Sequence, residues 1–182
     1  MKKFIALSGA LLMAPFVFFV SPGKAAVEDP QAVLYRIAKV ESIQAEVDEA
    51  NSLTEKGDFK KAVKDYDKVI VACPTYSSAH FNKGLALCGL GRLDDAITEF
   101  DKAIDLDPGN ARYFNNKGNA LGRLGKTEEA LVAFNRAIEI DPGHASAYYN
   151  KSIALNSMGL TKEAQAAREK AVELDPSLGA KK

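Results

Sequence analysis

The chain has 182 residues with 24 basic and 24 acidic side chains, so its formal net charge is zero. Such a chain, without a cluster of lysine and arginine, has little attraction for a phosphate backbone, which argues against nucleic-acid binding. No shift in composition divides the sequence after its first 25 residues, so a single elongated domain is expected there.

Residues 1–25 have the pattern of a secretory signal peptide. Lys2 and Lys3 precede an uncharged run, residues 4–20, and the small residues that follow suit cleavage after Ala25. An uncleaved anchor is the alternative, because this run of 17 residues has the length of a short membrane span, although Pro15 interrupts it. Cleavage would leave 21 basic against 24 acidic side chains, a formal charge of −3.

The next segment, residues 26–42, is predicted to lead into the repeated part of the chain as a helix. Asp29 followed by Pro30 is a typical helix start, because proline is tolerated in the first turn. From there an apolar stripe continues at helical spacing. Its members are Val33, Ile37, Val40, Val47 and Ala50. The pattern predicts one long helix over residues 30–56.

Four units of 34 residues follow without insertions, at 43–76, 77–110, 111–144 and 145–178, and residues 179–182 form a tail. Three residue types recur at this interval. They are Pro74, Pro108, Pro142 and Pro176; Gly57, Gly91, Gly125 and Gly159; and Ala62, Ala96, Ala130 and Ala164. A unit of this length is too small to bury its own apolar face, so the units are expected to stack into a solenoid.

Each unit is predicted to contain two amphipathic helices. In 77–110, apolar or small residues recur every three to four positions in both halves. Gly91 occupies the place where a helix end favours a left-handed residue, and Asp107 before Pro108 ends the second helix. The unit is therefore helix, tight turn, helix, turn.

The residues at fixed positions of the unit resemble tetratricopeptide repeats (TPR). The positions are the eighth (Ala50, Gly84, Gly118, Ser152), the eleventh (Leu53, Leu87, Leu121, Leu155), the twentieth (alanine), the twenty-fourth (Tyr66, Phe100, Phe134) and the thirty-second (proline). This resemblance implies an all-α, right-handed α-solenoid of helix-turn-helix repeats that binds proteins. The first repeat departs from the pattern, with Glu46 where later units have His80, Phe114 and Tyr148.

Asparagine occupies the sixth position of three successive units, as Asn82, Asn116 and Asn150. An asparagine amide both donates and accepts hydrogen bonds, which suits a peptide backbone. In repeats similar to those of O-linked N-acetylglucosamine transferase, asparagines at this position form a ladder along a bound extended chain. The resemblance implies the same role for these three residues; the alternative is that asparagine is merely frequent there.

Helix phase places further candidate groove residues beside the asparagines. These are Phe81 and Leu85 with Asn82; Arg112, Asn115, Asn119 and Arg123 with Asn116; and Tyr149 and Ile153 with Asn150. The middle of the groove is thus polar and basic, with apolar patches on both sides. This pattern fits a ligand with apolar anchors around an acidic or polar centre.

The sequence offers no site for catalysis, a metal or another cofactor. His80 and His144 lie 64 residues apart with no cysteine or carboxylate at a ligand spacing. Cys73 and Cys88 are expected to be about 15 Å apart, too far for a disulfide, and therefore free. We accordingly expect neither an enzyme nor a small-molecule substrate.

The predicted function is that of a monomeric, non-catalytic adaptor that binds an extended peptide segment of a partner protein in the concave groove. Two alternatives remain open. The first is a structural or oligomerising component of a cell-envelope or secretion assembly, acting through the long N-terminal helix or the convex face. The second is an enzyme or accessory thiol protein using Cys88. The leader predicts a periplasmic or extracellular location, or a membrane anchor through residues 4–20 that faces outside the cytoplasm.

Overall fold

The structure is a computed structural model that describes residues 29–180, so the predicted leader, residues 1–25, lies outside the described part. Residues 29–180 form eight α-helices and a final 3-10 helix. The helices are α1 (Pro30–Glu55), α2 (Phe59–Ala72), α3 (Ser77–Gly89), α4 (Leu93–Leu106), α5 (Ala111–Arg123), α6 (Thr127–Ile140), α7 (Ala145–Ser157), α8 (Thr161–Leu174) and the 3-10 helix (Pro176–Ala180).

Helices adjacent in the chain pack against each other from α1 to α8. The first helices of neighbouring repeats also touch, α1 with α3, α3 with α5 and α5 with α7. This stacking makes an α-solenoid, as predicted, and the first helices lie along its inner, concave face. None of the helices within residues 29–180 has the length and apolar character needed to cross a membrane.

The turns inside the repeats depend on glycine. Gly57, Gly91, Gly125 and Gly159 all have φ between 75° and 79°, the left-handed region that other residues rarely adopt. The prediction made for Gly91 is therefore confirmed at all four equivalent positions. Between repeats, Asp141 Oδ1 accepts a hydrogen bond from the Gly143 amide at 3.0 Å, which stabilises the turn after α6.

The core of each middle repeat depends on a small residue facing an aromatic ring. A Cβ atom added to Gly84 would lie 2.5 Å from the Phe100 ring, and one added to Gly118 would lie 2.5 Å from the Phe134 ring. Both rings are buried. The eighth position is therefore small because the aromatic residue at the twenty-fourth position fills the space between the paired helices.

The long helix α1 matches the predicted range, ending at Glu55. Its two halves differ in packing. Leu34 and Val40 are 64% and 66% exposed, whereas Ile43 and Val47 pack into an apolar cluster with Val69. The second half of α1 thus joins the core of the first repeat.

The C-terminal end is closed by polar side chains. Gln165, which replaces the leucine of the preceding repeat, donates a hydrogen bond to Glu169 at 2.9 Å. Arg168, which replaces Phe134, lies over the ring of Tyr149 at 5.3 Å. The final 3-10 helix buries Leu178. Polar side chains thus occupy positions at which the preceding repeat has Leu131 and Phe134.

Candidate functional site: the inner face of the solenoid

Two of the three predicted ladder asparagines bridge neighbouring repeats. Asn82 Nδ2 donates to Asn51 Oδ1, and Asn150 Nδ2 donates to Asn115 Oδ1, both at 3.0 Å. Each bond joins the first helix of one repeat to the first helix of the repeat before it. These asparagines therefore contribute to the stacking of the solenoid, and each amide keeps further donor and acceptor capacity.

Asn116 differs because the preceding repeat offers it no polar partner. The residues equivalent to Asn115 and Asn51 in that repeat are Phe81 and Leu85, which cannot accept a hydrogen bond. Asn116 Nδ2 instead donates to the backbone oxygen of Arg112 at 2.8 Å, within its own helix. Asn116 is therefore the ladder residue with the smallest role in stacking.

Asn51 is a partner that the sequence reasoning missed. Its Oδ1 accepts hydrogen bonds from Asn82 and from the hydroxyl of Tyr66, the latter at 2.8 Å. The Tyr66 hydroxyl also lies 3.3 Å from Thr54 Oγ1. The available signal was asparagine at the ninth position of the repeat, since the same position holds Asn119 two repeats later.

Two predicted groove residues, Phe81 and Asn115, are buried, so their assignment to the groove surface is wrong. The Phe81 ring packs against Tyr113 and Phe100, with centroids 4.8 and 5.8 Å apart. Arg112 covers that ring, with its guanidinium carbon 5.4 Å from the centroid. At this point the surface is therefore formed by a cation lying on a buried aromatic ring.

Arg123 lies at the other end of α5. Its Nη1 donates to the backbone oxygen of Cys88 at 3.2 Å, and its side chain is exposed. Burial raises the pKa of the Cys88 thiol, and the positive charge of Arg123 opposes this only in part. A thiol with a raised pKa is a poor nucleophile near neutral pH, which argues against the thiol-protein alternative. Cys73 and Cys88 are both free, as predicted.

The inner face opens into a pocket of about 600 Å³ between the third and fourth repeats. Four predicted site residues meet there. They are Asn119, Arg123, Asn150 and Ile153. The Phe134 ring, Gly118 and Gly122 also line the pocket, so polar groups surround a largely apolar interior. The remaining predicted residues, Asn82, Leu85, Arg112, Asn116 and Tyr149, lie outside its lining.

The pocket exists because small side chains occupy positions that are larger in the preceding repeat. Gly122 and Thr127 of the third repeat replace Cys88 and Leu93 of the second. Ser157 of the fourth repeat replaces Arg123 of the third. All three replacements remove volume at the boundary between the third and fourth repeats. No single position of the sequence signals the pocket, because it appears only when successive repeats are compared.

A buried ionic cluster lies elsewhere in the second repeat. His80 Nδ1 is 2.7 Å from Glu99 Oε2, and its Nε2 is 3.3 Å from the backbone oxygen of Pro74. Both ring nitrogens of His80 thus have an oxygen within hydrogen-bonding distance. Glu99 Oε1 accepts from Lys83 and Lys102, and Lys83 also pairs with Asp67 at 2.7 Å.

The charged groups of this cluster are paired with one another, as in an ionic network that stabilises a fold. Burial raises the pKa of Glu99, but the hydrogen bonds from His80, Lys102 and Lys83 together outweigh it and lower the pKa below its usual value. In the third repeat the equivalents of His80 and Glu99 are Phe114 and Ala133. Within residues 29–180, no group of histidine, cysteine and carboxylate side chains is arranged to hold a metal ion.

Family models match most of the repeated region. A model described as Tetratricopeptide repeat matches residues 111–144, another of the same description matches 133–166, and one described as TPR repeat matches 50–91 and 84–125. Comparison with curated proteins gives no significant match.

Solved structures share the fold. The crystal structure of MamA is 30% identical with a TM-score of 0.65, covering 70% of this chain and 74% of that one. PilF of Pseudomonas aeruginosa is 23% identical with a TM-score of 0.70, covering 78% and 66%. The first TPR domain of Spaghetti (RPAP3), bound to the HSP90 peptide SRMEEVD, is 20% identical with a TM-score of 0.63, covering 65% and 94%. Together with the matched models and the stacked 34-residue helix pairs, these likenesses establish that the chain belongs to the tetratricopeptide repeat family.

Proposed function

We propose that this protein is a non-catalytic adaptor that binds an extended peptide segment of a partner protein along the inner face of its solenoid. The observation that carries the proposal is the inner-face pocket, where Asn119, Arg123, Asn150 and Ile153 meet. Concave sites with an apolar interior and a few polar groups at the edge are typical of ligand binding.

The asparagines supply the backbone recognition in this proposal. Asn116 and Asn150 lie on successive inner helices, and each amide has donor and acceptor groups beyond the one bond described above. An extended peptide crossing these helices meets one amide per repeat. Such contacts give affinity for a backbone with little dependence on the partner's side chains.

The RPAP3 domain supports the proposal by analogy. Its structure holds a peptide, SRMEEVD, and its likeness to this chain is one of fold only. The fold therefore can carry a peptide, and this chain needs its own contacts to select one.

Site-specific photo-crosslinking in the native host tests the proposal. A photoreactive residue replaces Ile153 on the inner face, and in a matched control it replaces Val132, which is exposed and lies on the second helix of a repeat, outside the pocket lining. We expect one partner protein to crosslink from position 153 and not from position 132. Crosslinking of the same partner from position 132 alone would contradict binding along the inner face.

A structural role in an envelope or secretion assembly is the second candidate, because α1 exposes Leu34 and Val40. Replacement of both by aspartate tests it. Loss of the protein from a large native complex, with crosslinking from position 153 unchanged, would support this second function. A complex of unchanged size would remove it.

Export is part of the proposed function, on the strength of the leader pattern in residues 1–25. Intact-mass measurement of the protein from its native host tests this directly. The expected mature chain begins at Ala26. A full-length species in the membrane fraction would instead support the uncleaved anchor.

A further inference from the structure

We infer that the pocket between the third and fourth repeats accepts one leucine-like or phenylalanine-like side chain of the partner peptide, with a neighbouring carboxylate of that peptide on Arg123. This inference rests on the proposed function, because it specifies the chemistry of the ligand at the same site.

The interior of the pocket is shaped for an apolar side chain. The Phe134 ring forms part of the lining, with Ala154 and Ile153 contributed by the next repeat. A Cβ atom added to Gly122 would meet no atom within 4 Å, so open space lies directly above this position of the helix. Burial of apolar surface on these walls would favour binding, whereas a polar side chain would lose its water there.

The neighbouring boundaries show which side chains suit the equivalent space. Between the first two repeats, the Phe59 ring lies 2.7 Å from the place where a Cβ of Gly89 would be. Between the second and third repeats, the equivalent of Phe59 is Leu93. Between the third and fourth it is Thr127, which lines the pocket together with Ser157. The chain thus supplies a phenylalanine or a leucine at two boundaries and leaves the third to be completed by a ligand.

The size of the pocket agrees with this occupant. Its volume of about 600 Å³ falls within the range of about 300–1,000 Å³ that is usual for ligand sites. The space therefore admits a large side chain together with part of the peptide backbone, next to the amides of Asn119 and Asn150.

Charge on the inner face indicates the carboxylate. At the inner-face positions of repeats two to four (positions 2, 5, 6, 9, 12 and 13 of each unit) the ionisable side chains are Arg112, Arg123, the Cys88 thiol and the Tyr149 hydroxyl, with no aspartate or glutamate. Asp48 and Glu55 occupy such positions only in the first repeat. Arg123 has five N–H donors and gives one to the Cys88 carbonyl, so a carboxylate can bind the others.

Three synthetic peptides test the inference by NMR titration of the isotope-labelled mature chain. They are GSLEGS, its glutamine analogue GSLQGS and its alanine analogue GSAEGS, each blocked at both ends. We expect GSLEGS to shift the amide signals of Gly122, Ala154 and Ser157. Loss of the leucine should weaken binding by about 10-fold or more. Loss of the carboxylate should weaken it by about 3- to 10-fold at low salt, a difference that shrinks as salt screens the charge.

A filled-pocket variant supplies the decisive comparison. Gly122→Cys with Thr127→Leu installs the residues of the second repeat, and Val132→Thr on the exposed side of α6 is the control. The filled variant should lose the GSLEGS shifts while the control keeps them. Inner-face signals that shift equally with GSLEGS and GSAEGS, and equally in the filled variant, would overturn this inference. Binding to the inner face would remain supported in that case. A lack of shifts at every inner-face residue with all three peptides would overturn it as well, and the crosslinking from position 153 decides separately whether the proposed function stands.

Discussion

The second and third repeats are built on one 34-residue pattern, yet they leave different surfaces. In the second repeat, Cys88 and Leu93 occupy the inner boundary, and the buried pair of His80 and Glu99 is part of the packing of its helices. In the third repeat the equivalents are Gly122, Thr127, Phe114 and Ala133, and the inner boundary opens into a pocket. The repeated positions therefore determine the stacking, and the positions between them determine what the surface can bind.

Removal of the core aromatic residue should have the largest effect, and it tests whether the two repeats share the same core. Phe100→Ala and Phe134→Ala should each lower the free energy of unfolding by about 3–5 kcal/mol. The loss should be slightly smaller for Phe134, because this residue lines the pocket and is 3% exposed, whereas Phe100 is 0% exposed. Urea unfolding of both variants measures this. A cost below about 1 kcal/mol at Phe134 would mean that the third repeat does not depend on this ring.

Replacing the ionic pair of the second repeat by the residues of the third tests whether the pair is needed for stability. Glu99→Ala alone leaves His80 without its carboxylate partner in a buried place and should cost about 3 kcal/mol. The double variant His80→Phe with Glu99→Ala installs the residues of the third repeat. It should return to within about 1 kcal/mol of the wild type, because Lys83 keeps Asp67 and Lys102 is half-exposed. Chemical denaturation of the single and double variants checks this; a double variant as unstable as the single one would contradict it.

Lowering the pH should destabilise the wild type more than the double variant His80→Phe with Glu99→Ala. Since the pKa of Glu99 is lower in the folded state than in the unfolded chain, its contribution to stability is complete above the unfolded pKa of about 4.3. That contribution is lost as the pH falls through this value toward the lower folded pKa. Unfolding measured between pH 6 and pH 3 should show a steeper loss for the wild type than for His80→Phe with Glu99→Ala. Parallel curves would show that the Glu99 cluster does not contribute in this way.

Replacing each of two glycines of α5 by alanine should change the stability in opposite directions, and these changes should be the smallest. Gly118→Ala places a Cβ 2.5 Å from the Phe134 ring and should destabilise by about 1–3 kcal/mol. Gly122→Ala meets open space and should stabilise by up to about 1 kcal/mol, because alanine favours the helix. Melting temperatures report both changes. Two changes of the same sign would show that the pocket is not open at Gly122.

Much of the fold could be predicted from the sequence because the repeat is physically redundant. The glycine at Gly91 and at its three equivalent positions predicts the same turn in all four repeats. Asp29 followed by Pro30 correctly predicts the N-terminal end of α1. The site could be predicted less well, because helix phase does not say which neighbour covers a side chain. Phe81 has the correct phase for the groove, but Tyr113 of the next repeat packs against it.

The hydrogen-bond partners of the asparagines could not be predicted from the sequence either. The sixth position lies on the first helix of its repeat, but the partner of each amide depends on the preceding repeat. Asn115 and Asn51 accept from Asn150 and Asn82, whereas Phe81 and Leu85 leave Asn116 to its own helix. A pattern within one unit cannot contain this information, because the contact joins two units.

Calorimetry with the partner identified by crosslinking measures whether the inner face binds an extended peptide. The triple variant Asn82→Ala, Asn116→Ala and Asn150→Ala should bind about 10- to 1000-fold more weakly, since each lost hydrogen bond is worth about 0.5–1.5 kcal/mol. The Asn116 side chain donates its hydrogen bond within its own helix and to no other repeat. The single variant Asn116→Ala should therefore weaken binding by about 2- to 10-fold while the melting temperature stays unchanged. An unchanged dissociation constant in both variants, with the fold intact, would contradict recognition of a peptide backbone by this face.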